Sequence, residues 1–194
     1  EWIFQTGTKG QLGGSPIVAD GVLFLTAPYN NLWAINAANG EAVWHYEGEL
    51  PDDLRICCGP TNRGVAVAGR AIFMATLDAY LVAIDRVSGE ILWEVKLEDY
   101  KAGYSATSAP LVIKDLVITG ISGGEYGARG FIDAYEVSSG KHVWRRFVVP
   151  AAGEPGVETW EGDSWQTGGG PSWATGTYDV ETGLLYWPTG NPSP

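Results

Sequence analysis

The chain has 194 residues, enough for one domain with a sizeable core. Its 45% hydrophobic and 18% charged residues exclude a disordered polymer, and no apolar run is long enough to span a bilayer. The net charge of −11 disfavours contacts to phosphate, so no nucleic-acid partner is expected. Glu1-Trp2-Ile3-Phe4-Gln5 reads as a strand, with no signal peptide before it. A hairpin over residues 16–27 turns at Asp20-Gly21, and others follow over 64–76 and 110–120, turning at Gly69-Arg70 and Lys114-Asp115. A fourth begins at Gly176-Thr177-Tyr178-Asp179 and turns at Glu181-Thr182-Gly183. No stretch carries a helical period.

Behind the first three hairpins the chain repeats itself. Leu32-Trp33-Ala34-Ile35-Asn36 leads to Gly40 and Trp44, Leu81-Val82-Ala83-Ile84-Asp85 to Gly89 and Trp93, and Ile132-Asp133-Ala134-Tyr135-Glu136 to Gly140 and Trp144. The period is about fifty residues. The glycine suits the left-handed position of a tight hairpin, and the tryptophan suits a plug between neighbouring units. Val22-Leu23-Phe24-Leu25 and Leu116-Val117-Ile118 are apolar at successive positions, as in strands covered on both faces. Four short strands per unit predict an all-β fold, a β-propeller of four-stranded blades. The units span roughly residues 12–46, 61–95, 107–146 and an incomplete 172–194, with 147–171 a functional loop insertion. Three blades and the start of a fourth do not close a ring. Both ends therefore read as cut, and the chain as part of a longer protein.

Four stretches lie at the non-hairpin ends of the blades: residues 57–64, 107–110, 122–130 and 168–192. Corresponding ends of neighbouring blades face one mouth of the channel, so these stretches can converge. Cys57 and Cys58 are the only cysteines. As neighbours they are either two buried thiols or a strained ring that closes no loop. Arg63 offers a planar fork for a carboxylate or quinone oxygen. Ser122, Gly123 and Gly124 offer backbone N–H groups and a hydroxyl without bulk. Glu125 and Asn191 are oxygen donors of the type hard cations accept, and Trp173 is a flat surface that can clamp a planar ring. His45 and His142 read as structural.

Four motifs carry a resemblance: Cys57-Cys58 with Asn62-Arg63-Gly64, residues 122–130 (Ser-Gly-Gly-Glu-Tyr-Gly-Ala-Arg-Gly), Trp160-Glu161-Gly162-Asp163-Ser164-Trp165 with Gly168-Gly169-Gly170, and Thr189-Gly190-Asn191-Pro192-Ser193-Pro194. They resemble the quinoprotein alcohol dehydrogenases of the methanol/ethanol dehydrogenase family, which use pyrroloquinoline quinone (PQQ). The resemblance covers essentially the whole chain, as the first part of an eight-bladed propeller. It implies that Cys57 and Cys58 form a vicinal disulfide on one face of PQQ and that Trp173 stacks on the other. It also implies that Arg63, Thr107, Ser122, Gly123 and Gly124 meet the cofactor edge, and that Glu125 and Asn191 ligate Ca²⁺ or a lanthanide.

Two positions depart from the family pattern. Gly13 stands where relatives usually carry a glutamate near the cofactor. Pro171-Ser172 replaces the threonine-containing pair of some members, so that one cofactor contact is lost or shifted to Ser172. The resemblance places the catalytic aspartate and a second arginine beyond Pro194, so residues 1–194 alone are expected to be inactive. The implied reaction of the parent is oxidation of a small primary alcohol to an aldehyde. The aspartate removes a proton, hydride passes to a PQQ carbonyl polarised by the metal, and electrons leave to a cytochrome c-type acceptor. A disulfide in the site implies the bacterial periplasm. The alternatives are a PQQ dehydrogenase of sugars or polyols, and a non-catalytic propeller scaffold. A scaffold would require neither the cysteine pair nor the loops around Glu125 and Trp160.

Overall fold

The computed structural model describes residues 1–193. Three four-stranded antiparallel sheets follow one another along the chain, each in simple sequential order. The first holds β1 (Ile17–Ala19), β2 (Val22–Ala27), β3 (Asn31–Asn36) and β4 (Ala42–Glu47). The second holds β5 (Ala66–Ala68), β6 (Ala71–Ala75), β7 (Tyr80–Asp85) and β8 (Ile91–Lys96). The third holds β9 (Leu111–Ile113), β10 (Leu116–Gly120), β11 (Phe131–Glu136) and β12 (His142–Phe147). A two-stranded hairpin, β13 (Thr177–Asp179) and β14 (Leu184–Tyr186), opens a fourth unit. The only helical pieces among the described residues are four short 3-10 turns.

The core lies between the sheets. All of β6 is buried, and its pleat divides it. Ile72 and Met74 join Phe24, Leu32, Ala34, Val82 and Ile84 in a cluster against the first sheet. Phe73 and Ala75 join Leu81, Val117, Ile121 and Phe131 in a cluster against the third. This two-sided burial is why the inner strands are apolar without alternation. The outer strands β4 and β8 show exposed residues at most positions, because no further strand covers their edge.

The tryptophans pin sheet to sheet. Trp44 Nε1 donates to the Arg86 carbonyl at 3.1 Å, and Trp93 Nε1 donates to the Val137 carbonyl at 3.1 Å. Each ring covers the turn glycine of the next sheet: a Cβ on Gly89 would stand 2.9 Å from Trp44, and one on Gly140 2.7 Å from Trp93. The repeat glycines therefore answer two demands, a φ of +70 to +78° and the room for a ring. Trp144 makes no such bond among the described residues. Each outer strand also carries a bulge after the tryptophan pairing, at Ala34/Ile35, Ala83/Ile84 and Ala134/Tyr135.

The predicted strand at residues 1–5 does not form. No neighbouring strand pairs with it, and its tryptophan is used otherwise: Trp2 Nε1 donates to the Ala37 carbonyl at 3.1 Å over Gly40. Trp2 thus does for the first sheet what Trp44 does for the second. The insertion after β12 is ordered by two short turns and by Arg129, which donates to the Val149 carbonyl and lies 4.0 Å over Phe147 and 4.9 Å over Trp165.

Asp85, at the end of β7, caps its turn. Its Oδ1 accepts from the Val87 and Ser88 N–H groups, and Arg70 donates to its Oδ2. The Ser88 and Val87 donors, with Arg70 behind them, hold its carboxyl below the usual range. A depressed carboxylate contributes stability above its unfolded pKa of about 4, and that contribution is lost as pH falls through the folded value. Asp85→Asn should therefore flatten the acid limb of the stability curve below about pH 4. Urea melts at a series of pH values would show this; an unchanged acid slope would rule it out.

Candidate cofactor cleft

In up-and-down sheets the β4–β5, β8–β9 and β12–β13 connections emerge at one end, together with the β10–β11 loop. The predicted stretches sit in these connections. The β8–β9 connection and the β10–β11 loop are sewn together by a bridge between Ser105 and Ser122, whose N–H groups donate to each other's carbonyls at 3.3 and 2.6 Å. Gly123 is forced to be glycine. Its φ is +114°, and a Cβ would stand 2.1 Å from the Gly103 carbonyl oxygen.

A cleft of about 290 Å³ opens at this end. Cys57 and Cys58 are joined to each other by a disulfide and border it, and no cysteine is free. Trp173 borders it too, reaching it from the far side of the insertion. Arg63, Thr107, Ser122, Gly123 and Glu125 complete the predicted set that lines it. Six loop-borne predicted residues from three connections and one loop thus share a cleft with the two cysteines.

The polar groups of the cleft form a chain. The Arg63 N–H donates to the Thr107 carbonyl at 3.0 Å, and Arg63 Nη1 donates to Thr107 Oγ1 at 2.6 Å. Thr107 Oγ1 lies 3.0 Å from Ser122 Oγ. Arginine can only donate, so the threonine oxygen accepts from it, and one hydroxyl proton of the pair is left for a ligand. Arg63 also lies 4.6 Å over the Trp173 ring. Burial pulls its pKa below the ordinary value, yet a guanidinium keeps its charge. The Ser122 N–H, expected to be open, is taken by Ser105. The N–H groups of Gly123, Gly124 and Glu125 have no partner among the described residues.

Glu125 and Trp173 also border a second cleft of about 380 Å³, which holds Gly124 and Asn191. Glu125 is exposed and makes no ion pair among the described residues. Its carboxylate and the two cysteine sulfurs lie within 4.8 Å of one another. An oxidised pair supplies no thiolate, which leaves the Glu125 carboxylate and the Asn191 amide as side-chain oxygens bordering the second cleft. That oxygen set suits a hard cation.

Two predicted residues lie elsewhere. Ser172 is fully buried; its hydroxyl accepts from the Ile121 N–H at 2.9 Å and donates to the Phe131 carbonyl. It staples the fourth unit to the third sheet and does not line the first cleft. Gly124 faces Pro171, which would stand 2.7 Å from an added Cβ, and it borders only the second cleft. Sequence reasoning missed Thr61 and Ser105, which line the first cleft. The position of Thr61 inside the Cys-Cys…Asn-Arg stretch was the available signal. Ser105 had none, because its place depends on the bridge to Ser122.

Residues 2–194 match the family model described as the β-propeller domain of PQQ glucose/ethanol/alcohol dehydrogenases. Quinoprotein alcohol dehydrogenase PedH of Pseudomonas putida is 41% identical over 100% of this chain and 36% of its own. The lanthanide-dependent methanol dehydrogenase of Methylorubrum extorquens is 36% identical over 99% of this chain and 36% of its own. Among solved structures, a europium-containing methanol dehydrogenase superposes with a TM-score of 0.90 at 35% identity, covering 98% of this chain and 37% of that one. The chain thus spans just over a third of the length of these relatives. With the sheets, the cysteine pair and this match along its length, the chain belongs to the PQQ-dependent dehydrogenase β-propeller family.

Proposed function

We propose that this chain forms one side of the cofactor site of a PQQ- and metal-dependent alcohol dehydrogenase. The observation that carries the reading is the cleft shared by the Cys57–Cys58 disulfide and Trp173, with the Arg63–Thr107–Ser122 chain beside them. A planar, carboxylate-bearing ring fits those donors. The disulfide and the indole present faces, Arg63 neutralises a carboxylate, and the free N–H groups of Gly123 and Gly124 donate to further oxygens. Glu125 and Asn191 would hold the cation, Ca²⁺ or a lanthanide. When bound, PQQ supplies a two-electron acceptor, and the metal a Lewis acid.

The residues of this chain bind, orient and desolvate. Among the described residues Glu125 is the only carboxylate lining the first cleft, and in this reading it would hold the cation. The cleft therefore holds no further carboxylate to take a proton from an alcohol, and residues 1–194 alone are expected to bind without turnover. The base would come from the remainder of an eight-bladed propeller. The parent's substrates would be small primary alcohols and its acceptor a cytochrome c-type protein. A periplasmic setting is supported by the oxidised cysteine pair, which a reducing cytosol would not maintain.

Titration of PQQ into the protein, with Ca²⁺ or La³⁺ present, tests the reading through tryptophan quenching. Saturable binding with Kd below about 10 μM is expected. No quenching up to about 100 μM in either metal would refute it.

A further inference from the structure

Thr61 borders the cleft beside Arg63, and its hydroxyl has no hydrogen-bond partner among the described residues. The segment that carries it is rigid. Its N–H donates to the Gly59 carbonyl at 2.8 Å. The next residue, Asn62, is buried, donates to the Ala75 carbonyl at 2.9 Å and accepts from the Gly64 N–H at 2.9 Å. Thr61 is thus held where it stands by its own N–H and by Asn62.

The methyl of Thr61 is already used. A Cβ built on Gly13 would stand 2.6 Å from Thr61 Cγ2, so this methyl fills the volume a side chain at position 13 would claim. The adjoining Gly14 is closed in the same way, since a Cβ there would stand 2.3 Å from Thr26 Oγ1. The Gly13-Gly14 segment therefore packs as bare backbone against Thr61 and Thr26. With the methyl committed to Gly13, the hydroxyl is the part of Thr61 left for a ligand.

We propose that Thr61 is a positioning residue of the cleft, whose hydroxyl hydrogen-bonds an oxygen on the edge of the bound cofactor. The inference rests on the PQQ reading above. Arg63 and Glu125 are the only charged residues lining the cleft among the described residues, and a neutral donor here adds a contact without adding repulsion against an anionic ligand.

The test compares PQQ affinity, in the presence of Ca²⁺, for the unaltered protein, Thr61→Val and Thr61→Ser. Valine keeps the methyl against Gly13 and removes only the hydroxyl. Serine keeps the hydroxyl. The expected result is a loss of about 5- to 15-fold for valine, with serine within about threefold of the unaltered protein and the melting temperatures of the free proteins nearly equal. Unchanged affinity in Thr61→Val overturns the inference while leaving the PQQ reading intact. A loss that serine does not restore overturns it as well, because the hydroxyl would then not be the group that matters. Absence of PQQ binding by the unaltered protein removes the reading and the inference together.

Discussion

Trp173→Ala should cost about 2–3 kcal/mol of PQQ binding, or roughly 30- to 150-fold in Kd. The indole is 41% exposed and borders both clefts, so little of its area is committed to the core and much of it is open to a ligand. It is also the ring over which Arg63 lies, at 4.6 Å. Removing it takes away a stacking face and one of the two restraints on the guanidinium, leaving only the Thr107 bonds. The melting temperature of the free protein should move by less than about 3 °C, since a half-exposed ring contributes little to burial. Equilibrium titration followed by absorbance of the cofactor measures the loss. A change below about threefold would remove Trp173 from the site.

Arg145→Met should lose about 3–5 kcal/mol of stability, a fall in Tm on the order of 10 °C. Arg145 donates to both oxygens of Asp133 at 2.8 Å, to Glu98 at 2.9 Å and to the Leu97 carbonyl at 2.8 Å, and it lies 3.6 Å over Phe131. Asp133 has no exposed surface, so the variant leaves a buried carboxylate without its cation. Burial alone would pull the Arg145 pKa down, but the bonds to Asp133 and Glu98 raise it above the ordinary value. Burial, with Asp133 beside it, pushes the Tyr135 phenol up, and its hydroxyl donates to Asp133 at 2.7 Å. A second change, Asp133→Asn, should restore part of the loss by removing the stranded charge. Thermal melts of the two variants would decide it; a loss under about 1 kcal/mol in Arg145→Met would mean that water reaches Asp133.

Periodic features were legible in the sequence. Gly40, Gly89 and Gly140, with Trp44 and Trp93, announce turn and plug because one physical contact recurs at one spacing. Two-sided burial was legible in β2 and β10 from their unbroken apolar runs. The cleft was legible only in part. Cys57, Cys58 and Trp173 come from different connections, and nothing in their spacing says that they meet; the family motifs supplied that link. Ser172 reads in the sequence as a ligand contact because it stands next to a ring, and its two backbone partners at the joint with the third sheet are not legible there. The Arg145–Asp133–Glu98 network was invisible, because charged residues on a strand read as solvated until the neighbouring sheet is in place. Residues 1–5 failed for the converse reason: a strand-like composition forms no strand where no partner edge is offered.

The cleft is built almost entirely from the joints between sheets. Cys57 and Arg63 sit between the first and second, Thr107 between the second and third, and Trp173 between the third and fourth. Elsewhere these joints are held by apolar contact, by the indole bonds of Trp44 and Trp93, and by the polar links of Arg145 and Ser172, and each sheet touches only its neighbours along the row. A molecule lodged in the cleft would touch several joints at once. It would act as a clasp, turning a row of separately hinged leaves into one closed unit, and its binding free energy would be added to the cohesion of the whole row. Assembly of the site and tightening of the fold would then be the same event.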